Sequence, residues 1–267
     1  MGFFGASAMP TLRSLEGQYK AQISLLWHPL DGTPIAYHAD RPVKTASIIK
    51  LPILVHAALL VDAGQLSWEQ RVPLDHGAVV PGMGVLRYLD GGIAPTVRDL
   101  AVLMTIISDN TATNMLIDML GIEKINERIQ TLGMPQTRLN RKVFTPNTPD
   151  CLPWGLGVTT ARDTVHLLQS IATGQIGTAA TNQFLRDTLA RQLDRVGFPR
   201  GIPTGWTYAG KTGSDDDLRN DCGILTAPDG RQVIAACFVQ ELAEAPSSVD
   251  HLGLKALSDV AALMTQA

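Results

Sequence analysis

The sequence is poor in cysteine and in aromatic residues, and it contains no long apolar run. Its 267 residues include three cysteines, Cys151, Cys222 and Cys237, and 5% are aromatic. The odd number of cysteines and their wide spacing argue against a disulfide framework and against a zinc site. No apolar run approaches the roughly 20 residues of a membrane-spanning helix. We therefore expect no cofactor, no metal and no membrane partner.

The charges lack a dominant sign. The chain has 22 Lys and Arg against 25 Asp and Glu, which gives a net charge of -3. The basic residues are scattered, so nucleic acid is not an expected partner. A hydrophobic content of 45% is typical of a soluble globular protein, and the length allows one large domain or two interleaved ones.

The first residues lack the charged segment and the apolar segment of a secretory signal. Two localisations stay open: the protein is cytoplasmic, or a leader has been removed and the protein is periplasmic or secreted. Ala6 stands where the myristoylation pattern requires Ser or Thr, so that lipid anchor is not supported.

A serine and a lysine, Ser47 and Lys50, lie three residues apart at the start of an apolar helix that we predict to continue to Gly64. Residues at this spacing share a helix face, so the hydroxyl and the amine would be neighbours. Roughly one such pair per chain of this size is expected by chance. Two further motifs support it, Ser108-Asp109-Asn110 and Lys211-Thr212-Gly213 followed by Ser214, each of which occurs once and in this order.

Together these residues have the chemistry of an acylation centre. A serine hydroxyl needs a neighbouring base, and Lys50 can serve if burial and nearby positive charge lower its pKa. The backbone N–H of Ser47 at a helix start could hold an oxyanion. Ser108 could then pass a proton to a leaving nitrogen, and Asn110 could orient Lys50 and a substrate amide.

The third motif has the properties of a substrate-binding wall. Lys211 adds positive charge that attracts a carboxylate and disfavours protonated Lys50. Thr212 and Ser214 could bind that carboxylate, and Ser214 could offer a second oxyanion N–H. Arg219 could anchor the same carboxylate, because guanidinium binds it in two contacts.

Structural explanations exist for each motif taken singly. Ser47 could be a helix N-cap, Ser108 and Asn110 could be turn formers, and Lys211 could be a solvated strand residue. The triplet Asp215-Asp216-Asp217 reads as a solvated loop, although it could bind a cation or repel anionic substrates. Likewise His56, on the apolar helix, is expected to be a core histidine.

The hydrophobic pattern predicts strands near both ends of the chain and helices between them, which indicates an α+β fold. An antiparallel sheet would be built from both termini and flanked by helices, with an inserted all-helical subdomain. The predicted strands are 21–27, 33–38, 206–211, 221–226 and 232–240. We expect one lobe from residues 1–45 and 195–267, a helical lobe from 46–194, and the active site in the cleft between them.

Smaller signals mark the connections. Residues 67–92 and 138–158 are predicted to be long loops, and Thr96 with Asp99 resembles a capping box. A closing helix is predicted over 248–264. Cys222 and Cys237 flank the predicted hairpin around 228–230 and could be neighbours.

With Thr96-Val97-Arg98-Asp99-Leu100 and Arg138-Leu139-Asn140-Arg141 added, the chain resembles the penicillin-recognising serine enzymes, specifically class A β-lactamases, over roughly residues 20–265. The resemblance implies a β-lactamase/transpeptidase-like fold, a monomer and a small β-lactam or related substrate. It also implies that Ser47 is acylated, that Lys50 is its base partner and that Ser108 is the proton shuttle. The implied substrate-binding residues are Asn110, Asn147, Lys211, Thr212, Gly213, Ser214 and Arg219.

One departure concerns turnover. Class A enzymes carry a loop glutamate, four residues before an asparagine, that activates the deacylating water. Here Asn147 matches that asparagine, whereas Val143 stands in place of the glutamate. Asp150, the acidic residue of this loop, is an alternative base. Three functions follow: a β-lactam hydrolase with slow deacylation, an esterase, amidase or D-amino-acid peptidase with the same machinery, or a sensor that traps a β-lactam.

Overall fold

The computed structural model describes residues 4–243 and 251–265, which form eight strands and nine α-helices. The strands are β1 (Gln22–Pro29), β2 (Ile35–Tyr37), β3 (Val43–Lys44), β4 (Arg138–Leu139), β5 (Gly157–Thr159), β6 (Thr207–Asp215), β7 (Leu218–Thr226) and β8 (Gln232–Gln240). The helices are α1 (Phe4–Tyr19), α2 (Lys50–Asp62), α3 (Val97–Ile106), α4 (Asn110–Leu120), α5 (Ile122–Thr131), α6 (Ala161–Ala172), α7 (Ala179–Ala190), α8 (Phe198–Gly201) and α9 (Leu252–Thr265).

The main sheet has the order β2-β1-β8-β7-β6, and every pair in it is antiparallel. Strands from both ends of the chain meet where β1 pairs with β8, so the prediction of an α+β fold with a sheet built from both termini is confirmed. β6 lies at one edge of this sheet. One side of β6 is therefore available to line a site, although the division into two lobes stays a prediction.

Apolar side chains cover both faces of the sheet. One face packs against α1 and α9 through residues such as Leu12 and Leu257, and the other against α6 through residues such as Leu168, in an apolar cluster that also includes Ile53 of α2. Because side chains alternate along a strand, Cys222, opposite Ala236, and Cys237, opposite Asp221, belong to different faces. The two cysteines are close in register, yet they cannot form a disulfide.

The segment before α2 departs from the predicted helix start. Residues 46–49 form a 3₁₀ turn, and the α-helix begins at Lys50. The prediction that Ser47 begins the α-helix is therefore wrong by three residues, while Pro52 lies in the first turn as predicted. Thr45 and Ile49 occupy the cap positions, so Ser47 is not an N-cap. This frees its side chain for another role.

Several connections were predicted well and others were missed. The capping box of Thr96 and Asp99 is present. The loop over 138–158 also contributes β4 and β5, which form a small sheet of order β3-β5-β4. α4 begins at Asn110 rather than at 113, because Asp109 caps it. The predicted closing helix is found as α9, and the predicted residues 248–250 lie outside the described residues.

Candidate active site

Ser47 lines an open cleft of about 650 Å³. The turn that carries it follows Ala46, whose φ of 40° is in the left-handed region. The serine is half-buried. The cleft is lined by Ala46, Ser47, Gly82, Met83, Asn110, Arg141, Val143, Phe144, Thr145, Pro146, Asn147, Leu156, Ser214, Asp215, Asp216 and Arg219. Five of the sequence-predicted site residues therefore share one cavity: Ser47, Asn110, Asn147, Ser214 and Arg219.

Lys50 is buried and hydrogen-bonded to the second motif. Its Nζ donates to the backbone oxygen of Ser108 at 2.8 Å, to Ser108 Oγ at 3.0 Å and to Asn110 Oδ1 at 2.9 Å. Three acceptors match the three protons of an ammonium group. For Lys50 to act as a base toward Ser47, the amine must be neutral and give up one of these three contacts, because its lone pair must be free to accept the Ser47 proton.

The surroundings of Lys50 favour its neutral form. Burial lowers the pKa of Lys50 well below its usual value, the charge of Lys211 lowers it further, and Asp109 opposes both effects. Burial also lowers the pKa of Lys211 to about 8, against the effects of Cys222, Asp194 and Asp221. A desolvated amine beside a second cation has the properties of a general base.

Asp109 holds the second motif in place, a role that the sequence did not reveal. Its buried carboxylate accepts the N–H of Ala112 at 2.9 Å, which caps α4, and the N–H groups of Val85 and Leu86 at 2.7 and 3.0 Å. Ser108, just before it, has a left-handed φ of 57°. The only local signal for this role is an aspartate immediately before a helical run.

The third motif lies on the edge strand β6. Lys211 Nζ donates to Ser108 Oγ at 3.2 Å and to the backbone oxygen of Thr212 at 2.8 Å. Ser108 Oγ therefore lies between two lysine amines. At Gly213 a Cβ atom would lie 2.9 Å from the backbone oxygen of Thr45, so the close approach of β6 to the turn of Ser47 requires glycine.

Thr212 has a partner that the sequence did not indicate. Its hydroxyl donates to Asp194 Oδ2 at 2.9 Å. Asp194 follows helix α7 and lies 17 residues before Lys211 in the chain, where no local pattern marks it. The structure thus adds a carboxylate to the third motif.

Arg219 and two acidic residues form the far wall of the cleft. The guanidinium Nη1 donates to the backbone oxygens of Leu218 and Asp215. Burial lowers the pKa of Arg219, and Asp215 and Asp216 oppose this effect. Asp215 and Asp216 line the cleft, whereas Asp217 pairs with Lys44 at 2.7 Å. Asp215 and Asp216 are exposed, as expected of a solvated loop, and the structure adds that both line the cleft.

The loop opposite β6 places Val143 and Asn147 at the cleft. Val143 lines the same cavity as Ser47, and Asn147 is exposed at its rim. Arg141 Nη1 donates to the backbone oxygen of Thr145 at 2.7 Å, which closes the loop locally. The side chain of Asp150 lies outside what the structure describes, so this alternative base stays a hypothesis.

Other candidate groups lie away from the cleft. His56 is a buried residue of α2 as predicted for a core histidine, and burial lowers its pKa to about 4. The His, Cys, Asp and Glu side chains within 4–243 and 251–265 form no group of three that could hold a metal ion. Over the same part of the chain, no helix has both the length and the apolar character to cross a membrane.

Comparison with known proteins gives concordant matches. A model of the Beta-lactamase enzyme family matches residues 8–267. A β-lactamase of Streptomyces cellulosae is 29% identical over 256 residues, which cover 88% of this chain and 77% of that protein. A β-lactamase structure from Sphaerobacter thermophilus is 28% identical with a TM-score of 0.86, and the match covers 98% and 96% of the two chains.

A penicillin-binding relative is equally similar. A leucine-to-glutamate variant of PBP-A, solved as an acyl-enzyme complex with penicillin G, is 28% identical with a TM-score of 0.84. The match covers 96% of this chain and 95% of that one. The chain is thus similar both to β-lactamases and to PBP-A, a variant of which was solved as an acyl-enzyme complex with penicillin G.

Proposed function

Because this chain belongs to the Beta-lactamase enzyme family, we propose that it is a serine hydrolase that opens β-lactams by acylation of Ser47. The active site lies between the lobe of residues 1–45 and 195–267 and the helical lobe of 46–194. The observation that supports this most is the hydrogen-bonded chain from Lys50 through Ser108 to Lys211 beside the cleft that Ser47 lines.

Acylation follows from this chain of groups. Neutral Lys50 takes the proton of Ser47 Oγ, which bonds to the lactam carbonyl carbon while the oxyanion is held by the N–H groups of Ser47 and Ser214. When the C–N bond breaks, Ser108 gives its proton to the nitrogen and receives one from Lys50. Asn110 keeps Lys50 in position and can contact the substrate amide.

A substrate carboxylate would be held at the wall of β6. Lys211 and Arg219 supply positive charge, and the Thr212 hydroxyl can donate to the carboxylate once it turns away from Asp194. Gly213 keeps the strand close to Ser47. On the opposite side, Asn147 can donate to the substrate from the loop.

Release of the acyl group is the weak step of the proposed cycle. Val143 lines the cleft where class A enzymes carry glutamate, and a valine can neither accept a proton nor position water. Since a general base typically contributes 10²–10⁴-fold, hydrolysis of the acyl-enzyme should be slow by that order. Val143 also favours two other candidate functions. One is a hydrolase for other esters, amides or D-amino-acid peptides, and the other is a sensor that traps a β-lactam.

A time course of intact mass with penicillin G tests acylation and separates these functions. An adduct of one penicillin that disappears as product forms indicates a hydrolase, and one that persists indicates a trap. Ser47→Ala should abolish the adduct, whereas Ser67→Ala, a serine outside the cleft, should leave it unchanged. If wild type forms neither adduct nor product, β-lactam chemistry at Ser47 is wrong, and ester hydrolysis without an adduct would point to the other substrates.

The last part of the proposal concerns the oligomeric state and the binding partners. We propose a monomer that acts on a small molecule and has no nucleic-acid partner. Size-exclusion chromatography with light scattering measures the mass directly against the 28.7 kDa of one chain.

A further inference from the structure

The Thr212 hydroxyl has one proton, and in this structure it is already used. Thr212 Oγ1 donates to Asp194 Oδ2 at 2.9 Å. A hydroxyl can donate one hydrogen bond, so the proton that points to Asp194 is withheld from a substrate carboxylate. With that orientation, Thr212 can offer the cleft only an acceptor.

Asp194 is held in place by its neighbours in the chain. The N–H of Leu193 donates to the backbone oxygen of Ile106 at 3.0 Å, and Gln192 Nε2 donates to the backbone oxygen of Thr105 at 3.1 Å. Asp194 N–H in turn donates to Gln192 Oε1 at 3.0 Å. These bonds fix the segment to the end of α3, two residues before Ser108. The Asp194–Thr212 bond therefore bridges the helical side of the cleft and strand β6.

The charge of Asp194 acts on both cations of the proposed carboxylate wall. It raises the pKa of Lys211 and that of Arg219, in each case against the larger effect of burial. Asp215 and Asp216 add two further carboxylates on the cleft side. Arg219 is thus opposed by three carboxylates, and Lys211 by those of Asp194 and Asp221, so an arriving substrate carboxylate would meet cations whose charge is already partly balanced.

We propose that Asp194 is a specificity-determining residue, which disfavours substrates with a free carboxylate at the β6 wall and favours those with a neutral ester or amide there. The inference rests on the proposed function, because it concerns the substrate that acylates Ser47. For a substrate carboxylate to bind Thr212, the hydroxyl must turn its hydrogen bond from Asp194 to the substrate. Two carboxylates then lie close to a single donor and repel each other. A neutral group bears no such cost, and the N–H of an amide can donate to Thr212 Oγ1.

The test compares benzylpenicillin with its methyl ester, which replaces the carboxylate by a neutral group one methyl larger. The measured quantity is the ratio of their second-order rate constants for acylation of Ser47, acid over ester. Asp194→Asn removes the charge, keeps the shape and frees the Thr212 proton. We expect the ratio to rise roughly tenfold, because a hydrogen bond to a charged group is involved.

Two controls separate the hydrogen bond from bulk charge. Asp216→Asn removes a cleft charge that does not bond Thr212 and should raise the ratio much less. In a Thr212→Val background, Asp194→Asn should lose most of its effect, as in a double-mutant cycle. If Asp194→Asn does not fold, as judged by circular dichroism, Asp194→Ser serves the same comparison.

An unchanged ratio, a fall in the ratio, or an equal rise in Asp216→Asn would overturn the proposal for Asp194 while leaving acylation of Ser47 intact. Failure of the proposed function looks different, because wild type would then be acylated by neither compound. In that case both proposals are wrong.

Discussion

One side chain, Asn114, holds both backbone groups of Val143. Asn114 Oδ1 accepts the Val143 N–H at 2.8 Å, and its Nδ2 donates to the Val143 oxygen at 3.0 Å. Asn114 belongs to α4, the helix that begins at Asn110. The position of residue 143 relative to Ser47 is thus set by the same helix that holds the second motif, and not by the loop alone.

A carboxylate introduced at this position should therefore reach the cleft. We expect Val143→Glu to speed release of the penicillin adduct by up to 10²–10⁴-fold, the usual contribution of a general base. The adduct half-life on Ser47, followed by intact mass, measures this. Val143→Gln has nearly the same shape without a base, and equal half-lives for the two variants would refute the alignment of Val143 with the catalytic glutamate.

Loss of the Asn114 side chain should affect both the stability of the protein and the kinetics at Ser47, measured as the acylation rate and the adduct lifetime. Asn114→Leu removes two hydrogen bonds and should lower the free energy of unfolding by about 1–3 kcal/mol, as measured by urea denaturation. Asn126 provides a matched control, since it makes the same pair of bonds to the backbone of Leu139 at 2.8 and 2.9 Å. Asn126→Leu should cost a similar amount but leave acylation and adduct lifetime unchanged, and equal kinetic losses would argue against a special role for Asn114.

The pH at which acylation of Ser47 is lost on the acid side of its pH profile should depend on Lys211. Burial and then the charge of Lys211 lower the pKa of Lys50, so the neutral base persists to lower pH than an ordinary lysine would. Lys211→Met removes the charge, raises the pKa of Lys50 and should move the acid limb to higher pH. The measurement is the pH profile of acylation by penicillin methyl ester, read from the position of the limb.

Lys44→Met is the control for this profile, because Lys44 forms a partly exposed ion pair with Asp217. Its limb should coincide with that of wild type. A limb that stays in place in Lys211→Met, or moves to lower pH, would show that Lys211 does not tune Lys50.

The buried carboxyl of Asp221 should make stability depend on pH. Burial raises its pKa to about 7 from 3.8, and it accepts hydrogen bonds from Tyr208 OH at 2.6 Å and Phe198 N–H at 2.7 Å. The folded state then binds a proton that the unfolded state releases, so the contribution is complete below pH about 4 and is lost as pH rises through about 7. Because the pKa of Asp221 is about 7 in the folded state and 3.8 when unfolded, the loss is about 4 kcal/mol at most.

Urea denaturation at pH 4 and pH 8 measures this contribution as a difference between variants. In wild type, the Asp221 carboxyl should lower the free energy of unfolding between pH 4 and pH 8. Asp221→Asn should remove this part of the change and leave only the part that other titrating groups contribute. Asp118→Asn, which removes an exposed partner of Lys142, should preserve the fall. A parallel pH dependence in wild type and Asp221→Asn would contradict the raised pKa.

The local elements of the fold could be predicted from the sequence. The capping box of Thr96 and Asp99 and the position of Pro52 depend on neighbours within a turn, and the strands follow from alternation of side chains. The same holds for the three motifs, whose residue types indicate an acylation centre before any contact is known. The short strands β3, β4 and β5 of two or three residues were missed, because they carry too little periodicity to be read.

The contacts between residues far apart in the chain were decided only by the tertiary structure. The Lys50–Ser108 bond joins residues 58 apart and the Lys211–Ser108 bond residues 103 apart, so the motifs predict a centre but not which amine meets which hydroxyl. Neither the Asn114–Val143 pair nor the Asp194–Thr212 bond leaves a trace in local spacing. Burial, and with it the lowered pKa of Lys50, also exists only once the chain is packed, because desolvation is a property of the whole surroundings and not of the sequence neighbours.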